Sequence, residues 1–206
     1  MGIIDYLDYI GIVAFAISGA STAIKKRMDY LGILIMAGVT AIGGGVIRDI
    51  IIRRDSLPIF FERYEYSLLI LLTTAFVILT KGQIRWSFAL DIFDALGLAT
   101  FAIEAGITAI SMELNFITFC FVSFITAVGG GIIRDLFARE IPHILRPREI
   151  YAVAAVGGSV CFWFLRQLID LQVAAYICIA LTFFTRLLCM RFRLALPTVK
   201  PPQARS

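Results

Sequence analysis

Apolar residues fill this chain in long continuous runs that are separated by short polar segments. The runs are close to the roughly 17–25 residues that an α-helix needs to cross a bilayer, and they lack the alternation of transmembrane β-strands. The pattern therefore predicts an all-α integral membrane protein. Seven transmembrane helices are expected, at residues 5–24, 29–52, 65–80, 88–110, 115–137, 149–168 and 172–190.

The pattern occurs twice, with an offset of 86 residues. The sequence Thr-Ala-Ile-Gly-Gly-Gly-Val-Ile-Arg-Asp at 40–49 returns as Thr-Ala-Val-Gly-Gly-Gly-Ile-Ile-Arg-Asp at 126–135, and residues 5–53 match residues 91–139 at 18 of 49 ungapped positions. Each copy holds three predicted helices, an odd number, so the second copy enters the membrane from the opposite side. We expect two inverted three-helix repeats (1–86 and 87–170), a seventh helix (171–192) and a disordered cytoplasmic tail (193–206).

Composition and charge agree with a membrane protein and set its expected orientation. Hydrophobic residues make up 60% of the chain, against about 45–50% on average. If the N-terminus lies outside and the C-terminus in the cytoplasm, the inner segments carry 14 of the 19 lysines and arginines, as the positive-inside rule favours. The net charge of +4 then follows from topology, and no basic surface of the kind that binds nucleic acid is expected.

Candidate groups for metal binding or catalysis are few. The four cysteines fall within predicted helices without metal-ligand spacing, and the single histidine, His143, lies in a proline-bounded loop. No nucleophile stands beside a base. We therefore expect no metal, no cofactor and no enzymatic activity.

Each copy also places three glycines within a predicted helix: Gly43, Gly44 and Gly45, and Gly129, Gly130 and Gly131. Glycine costs about 1 kcal/mol relative to alanine in a helix interior, so the triplets need a reason. One is close helix packing; the other is a break in the helix beside a water-filled path. Because the triplets recur at the same depth, we expect helices two and five to be broken there and to flank the path. Freed carbonyls and the hydroxyls of Thr40 and Thr126 would suit a monovalent cation, although each hydroxyl is equally suited to bond back to its own helix.

Charged residues within the spans are duplicated as well: Asp8, Arg48 and Asp49 in the first copy, and Asp94, Arg134 and Asp135 in the second. Because isolated charges are costly in a membrane, we expect carboxylates to neutralise both arginines. Asp8 with Arg48 and Asp94 with Arg134 are candidate pairs. Such pairs suit either a gate or a structural tie between helices.

Glu104 breaks the duplication, because the residue aligned with it is the neutral Ser18. A carboxylate at this position could attract cations, or it could be a protonated group that packs against its neighbours. Ser18, Ser21 and Thr22 form a small polar stripe on the first helix, which suits either the lining of a path or helix packing.

The paired Gly-Gly-Gly-x-x-Arg-Asp motifs, each preceded by Asp-x-x-Gly-x-x-x-Phe-Ala at Asp8–Ala16 and Asp94–Ala102, resemble the TRIC family of trimeric intracellular cation channels and their prokaryotic relatives. The resemblance covers about residues 5–190. It implies a homotrimer in a prokaryotic cell membrane, in contact with lipid, in which every subunit has a pore for K⁺ and, less selectively, Na⁺. The animal Lys-Glu-Val motif is missing, so calcium or phosphoinositide regulation is not implied. Some bacterial proteins with this duplicated domain are described as glycine transporters, so a transporter for a small neutral amino acid is a second hypothesis.

Overall fold

The computed structural model describes residues 2–52, 57–80, 86–146, 152–192 and 194, without the side chains of 86–89. Every element in this part of the chain is helical, which confirms the all-α class. The helices are α1 (Ile3–Lys25), α2 (Tyr30–Ile52), α3 (Ile59–Glu62), α4 (Tyr64–Leu79), α5 (Trp86–Ser111), α6 (Phe116–Phe137), α7 (Ala152–Leu165) and α8 (Leu171–Phe192), and a 3₁₀ turn spans His143–Leu145. The predicted disordered tail, apart from Leu194, lies outside the described residues, as do Lys81, Arg85 and other cations of the topology argument.

Among the described residues, five helices are long and apolar enough to cross a membrane: α1, α2, α5 from Leu90, α6 and α8. The predicted third and sixth spans correspond to α4 and α7, which are apolar but only 16 and 14 residues long as described. Each of the seven predicted spans therefore contains a helix, although described residues at the ends of four spans, such as 166–168, are not helical. Two of them fall short of the roughly 17 residues expected for a full crossing.

The turns from α1 to α2 and from α5 to α6 have the same construction. Arg27 and Glu113 occupy aligned positions and have positive φ angles of 58° and 54°. Two residues later, Asp29 Oδ1 accepts a hydrogen bond from a backbone N–H three positions on (2.7 Å), and Asn115 Oδ1 does the same (3.0 Å). Side chains that cap a helix N-terminus in this way fix where the helix begins. The duplication thus extends from sequence to local structure.

The predicted breaks at the glycine triplets are wrong, because α2 and α6 continue through them as unbroken α-helices. The glycines lie where the two helices cross. A Cβ on Gly44 would lie within 3.0 Å of the Thr126 carbonyl oxygen, and a Cβ on Gly130 within 3.0 Å of the Thr40 carbonyl oxygen. Close backbone approach of this kind is what small residues permit in membranes. It gives the glycines a packing role that offsets their poor helix propensity.

Four helices form the centre of the structure. α1 packs against α2 and α5, and α6 packs against the same two helices, so the four close into a ring. Phe15 of α1 and Phe101 of α5 meet inside it, with ring centroids 5.4 Å apart. Gly11 receives the Phe101 ring and Gly97 receives the Phe15 ring, again at aligned positions. Outside the ring, α4 packs against α1, while α7 and α8 pack together beside α5.

Candidate functional site

A buried group of charged residues lies where α1, α2, α4 and α5 meet, and we call it the Arg48 cluster: Asp8, Arg48, Asp49, Tyr66 and Glu104. Arg48 Nε donates to Asp49 Oδ1 (2.8 Å), and Arg48 Nη1 donates to Glu104 Oε2. The Tyr66 hydroxyl donates to Asp8 Oδ2 (2.8 Å). No member is more than 5% exposed, so charge is held here well away from bulk water.

The Arg48 cluster is fixed from outside by two further hydrogen bonds. The backbone N–H of Ile59, at the start of α3, donates to Asp49 Oδ2 (2.8 Å), which ties the loop after α2 to the cluster. Thr108 Oγ1 donates to Glu104 Oε1 (3.0 Å). Both oxygens of the Glu104 and Asp49 carboxyl groups therefore have donors, as buried carboxylates require.

A second group lies among α1, α5 and α6, and we call it the Arg134 cluster: Ser18, Asp94, Arg134, Asp135 and His143. Arg134 Nε and Nη2 both donate to Asp135 Oδ1 (2.9 and 2.8 Å). Arg134 Nη1 donates to Asp94 Oδ1 and to Ser18 Oγ, the latter at 2.5 Å. The His143 backbone N–H donates to Asp135 Oδ2 (2.8 Å), in the same way that Ile59 donates to Asp49.

His143 adds a side-chain contact to the Arg134 cluster. Arg134 Nη2 lies 3.1 Å from His143 Nδ1. His143 Nδ1 also lies 3.6 Å from Asp135 Oδ2. The imidazole ring therefore lies beside both members of the Arg134–Asp135 ion pair.

The expectation that carboxylates neutralise both arginines agrees with the structure. Arg134 pairs with Asp94 and Asp135, and Arg48 pairs with Asp49. The candidate pair of Asp8 with Arg48 is replaced. Arg48 takes Glu104 as its second partner, and Asp8 accepts from Tyr66.

Glu104 and Ser18 occupy equivalent places in the two clusters, although each contacts the arginine of the other repeat. Both side chains are fully buried. The Glu104 carboxylate therefore does not face a water-filled vestibule as a free charge; it is held between Arg48 and Thr108.

The predicted hydroxyl ligands bond to their own helices. Thr40 Oγ1 donates to Met36 O (2.6 Å) and Thr126 Oγ1 donates to Val122 O (2.7 Å), both fully buried at the α2–α6 crossing. Thr22 Oγ1 donates to Ser18 O (3.0 Å). The hydroxyl oxygens keep acceptor capacity, but their hydrogens are used within the helix.

A cavity adjoins each cluster. One of about 30 Å³ is bordered by Asp8, Arg48, Tyr66 and Phe101, and it has room for about one water molecule. Another of about 170 Å³ opens beside Asp135 at the other end of the bundle. Its polar lining comes from Thr22, Lys25, Lys26, Asp91, Asp135, Glu140, His143 and Arg146.

The cavities lie apart along α1. Asp8 and Ile12 border the small cavity, and Thr22 and Lys25 border the large one. Since an α-helix rises 1.5 Å per residue, about 15 Å separates Ile12 from Thr22. Phe15 and the other residues between them on α1 are buried, apart from the half-buried Val13, so the ring is packed between its two ends.

Glu140 spans the rim of the larger cavity. Its carboxylate accepts from Lys26 Nζ (2.6 Å) and Arg146 Nη2 (2.9 Å). These two hydrogen bonds, more than the charges themselves, lower the pKa of the Glu140 carboxyl. The α1–α2 turn is thereby joined to the segment after α6.

Four residues at or near these clusters were not identified from the sequence as site residues. Tyr66 and His143 lie outside the aligned motifs, and Arg186 of α8 is only 2% exposed and acts electrostatically on Asp94. Phe101 packs against Gly11. The equal spacing of Gly11 to Phe15 and Gly97 to Phe101 was a usable signal, because it repeats within the duplicated motif.

Comparisons with known proteins agree on one family. The family model described as glycine transporter matches twice, at residues 5–81 and 91–167. The inner membrane protein YadS of Escherichia coli K12 is 37% identical over 201 residues, covering 95% of this chain and 96% of YadS. A membrane protein of Deinococcus radiodurans is 39% identical over 165 residues, covering 79% of this chain and 76% of the relative.

The comparison with solved structures identifies the same family. The TRIC trimeric intracellular cation channel orthologue from Rhodobacter sphaeroides superposes with a TM-score of 0.88 at 31% identity, covering 94% of this chain and 100% of the other. A TRIC cation channel studied for conductance gives a TM-score of 0.84 at 37% identity, covering 98% of this chain and 100% of the other. The duplicated motif, the helical fold and these likenesses together establish that the chain is a membrane protein that belongs to the TRIC family.

Proposed function

We propose that this protein is a monovalent cation channel that prefers K⁺ over Na⁺, with one conduction path in each subunit of a homotrimer. One observation carries the proposal: the ring of α1, α2, α5 and α6 holds two buried charged clusters in which every arginine is paired with carboxylates. Ionisable groups within a membrane normally mark a path for ions or protons. Structural relatives named as cation channels support the same assignment.

The charge balance favours cations over anions. Around Arg48 stand three carboxyl groups, from Asp8, Asp49 and Glu104, and around Arg134 stand two. A guanidinium held by carboxylates repels a passing cation little, whereas the same carboxylates disfavour an anion. The ion itself would be transient, and no resident metal or cofactor is proposed.

We place the path along the axis of the ring, between α2 and α6, from the Arg48 cluster to the Arg134 cluster. Phe15, Phe101 and the crossing of Gly44 with Gly130 fill the axis in this conformation. Conduction therefore requires α2 and α6 to separate at the crossing. The movement must also part Ile133 from Gly43 and Ile47 from Gly129, which lie against each other at the crossing.

The topology that accompanies this function is seven transmembrane helices arranged as inverted repeats at 1–86 and 87–170, followed by helix 171–192. The reciprocal contacts of residues 86 positions apart support it, since Gly44 meets Thr126 while Gly130 meets Thr40. The N-terminus would lie outside a prokaryotic cell membrane and the C-terminus in the cytoplasm. No enzymatic activity is proposed.

The rival function is transport of a small neutral amino acid, which the name of the matching family model suggests. Purified protein in K⁺-loaded liposomes distinguishes the two. A channel should release K⁺ down its gradient at a rate that glycine does not change, and empty liposomes give the background. Saturable glycine uptake without cation flux would favour the transporter.

Phenylalanine variants test the position of the path in the same assay. Phe15→Leu or Phe101→Leu should increase K⁺ flux, because each removes part of the layer that fills the axis. Phe162→Leu is the matched control, since Phe162 is fully buried in α7, outside the ring. Equal flux in all three variants would place the path elsewhere.

A further inference from the structure

We propose that the two clusters are electrically unequal and that Glu104 and Ser18 make the channel rectify, so that cations enter more readily from the Arg48 end than from the Arg134 end. The inference rests on the proposed cation channel. It concerns residues that lie outside the duplicated Gly-Gly-Gly-x-x-Arg-Asp motif. These residues change the charge of one end without changing the framework that both ends share.

The asymmetry lies at one aligned position, which is Ser18 in the first copy and Glu104 in the second. Arg134 Nη1 donates to Ser18 Oγ (2.5 Å), and Arg48 Nη1 donates to Glu104 Oε2. The same guanidinium nitrogen therefore meets a neutral hydroxyl at one end and a carboxylate at the other. Both partners are fully buried, so bulk water does not screen the difference.

The rim of the Arg134 end carries charges of both signs. Lys25, Lys26 and Arg146 border the cavity of about 170 Å³ together with Asp91 and Glu140, and Glu140 pairs with Lys26 and Arg146. The difference between the two ends therefore rests on Glu104 and Ser18 alone.

The two clusters therefore differ by one carboxyl group. The Arg48 cluster sets three carboxyl groups beside its guanidinium, whereas the Arg134 cluster sets two.

A difference of this kind governs how often cations enter. Buried charge at a pore mouth raises or lowers the local cation concentration, and the rate of ion capture follows. Capture from the Arg48 side is therefore faster than capture from the Arg134 side at the same driving force. The current at one polarity exceeds the current at the other in identical solutions.

Single-channel recording in symmetrical KCl tests the inference with variants that exchange the aligned residues. The wild type should pass about twofold or more current at one polarity. Glu104→Ser should reduce the ratio toward one, and Ser18→Glu should do the same by adding a carboxylate at the other end. The double variant Ser18→Glu/Glu104→Ser should reverse the favoured polarity.

The orientation of each inserted channel is established with a Lys26→Cys background. Lys26 lies at the rim of the Arg134 end, with a side chain 37% exposed, so a membrane-impermeant thiol reagent added to one chamber identifies that end by its effect on current. Trimer yield on size exclusion checks folding. If the exchange variants do not fold, Glu104→Gln provides the second test, because it removes the charge of Glu104 at nearly the same size and should also reduce the ratio toward one.

The outcomes separate the two proposals. Absence of any cation conductance in the wild type overturns the proposed channel function. Conductance with equal currents at both polarities overturns the present inference alone, as does an unchanged favoured polarity in the folded double variant.

Discussion

The Arg48 cluster and the Arg134 cluster begin from the same framework and end with different charge. In each, an arginine Nε donates to the aspartate that follows it, at 2.8 and 2.9 Å, and the other oxygen of that aspartate accepts a backbone N–H at 2.8 Å. The helix that crosses the arginine supplies a further aspartate, Asp8 or Asp94. Beyond this framework the two ends diverge, because Tyr66 and Glu104 complete one cluster and Ser18 and His143 complete the other.

The comparison teaches that duplication preserved the geometry of the ion pairs and left their charge free to vary. The conserved part of each cluster is local, since arginine and aspartate are sequence neighbours on one helix. The variable part comes from the other repeat, as Glu104 and Ser18 do, or from positions outside the aligned segments, as Tyr66 and His143 do. Changes there alter the field along the axis without disturbing the crossing of α2 and α6.

Removing the arginines should have the largest effect and should separate the two clusters. Arg48→Gln removes the guanidinium that lies beside three carboxyl groups, whereas Arg134→Gln removes one that lies beside two. Breaking a buried ion pair from one side costs about 3–5 kcal/mol. We expect Arg48→Gln to lower the free energy of unfolding more than Arg134→Gln, as measured by denaturation in detergent.

A second substitution identifies the cause of that loss. Glu104→Gln in the Arg48→Gln background removes the charge of a carboxylate that has lost its Arg48 partner. The double variant should therefore be more stable than Arg48→Gln alone. If instead the two losses simply add, the pair of Arg48 with Glu104 contributes nothing of its own.

The glycine crossing should respond equally from both sides. Gly44→Ala and Gly130→Ala each force a Cβ against a backbone carbonyl oxygen, and overpacking of this kind costs about 1–3 kcal/mol. Gly45→Ala is the matched control, because a Cβ there meets nothing within 4 Å and alanine favours the helix. Thermal unfolding of the three variants measures the difference. Equal stability of Gly44→Ala and Gly45→Ala would remove the packing role of the crossing.

The sequence predicts the class of the fold and most of the framework of the clusters, because duplication and apolar runs are visible in the residues themselves. It does not predict that α2 and α6 stay unbroken. The helix cost of glycine is a local quantity, whereas the close approach of Gly44 to Thr126 that offsets it depends on a partner helix 82 positions away.

The partner of Glu104 was also beyond the sequence argument, although a signal existed. Asp8 and Ser18 lie ten residues apart on α1, so about 15 Å separates them along the helix. One helix therefore reaches both clusters, and Ser18 belongs to the arginine of the other repeat. By the same logic, Glu104, which follows Asp94 by ten residues, belongs to Arg48 of the other repeat.

The smallest expected effect concerns the ion pairs of Glu140 at the Arg134 end. Because its pKa is lowered in the folded protein, Glu140 stabilises the fold at neutral pH, and this contribution is lost as the pH falls through the lowered value. With a side chain 40% exposed, the contribution should be below about 1 kcal/mol. Glu140→Gln should show this small loss at neutral pH and a flatter acid dependence in detergent melts. A loss of several kcal/mol would mean that Glu140 holds more of the structure than its two ion pairs.

The most direct test of the central claim is the reversal potential of single channels under a KCl gradient across a planar bilayer. Carboxylates that pair with both arginines make the path cation-selective, so the current should occur in discrete steps and reverse near the K⁺ equilibrium potential. Replacing K⁺ by Na⁺ on one side should shift the reversal in favour of K⁺. Steps that reverse near the Cl⁻ equilibrium potential, or a bilayer that stays silent while the same protein accumulates glycine in liposomes, would contradict the account.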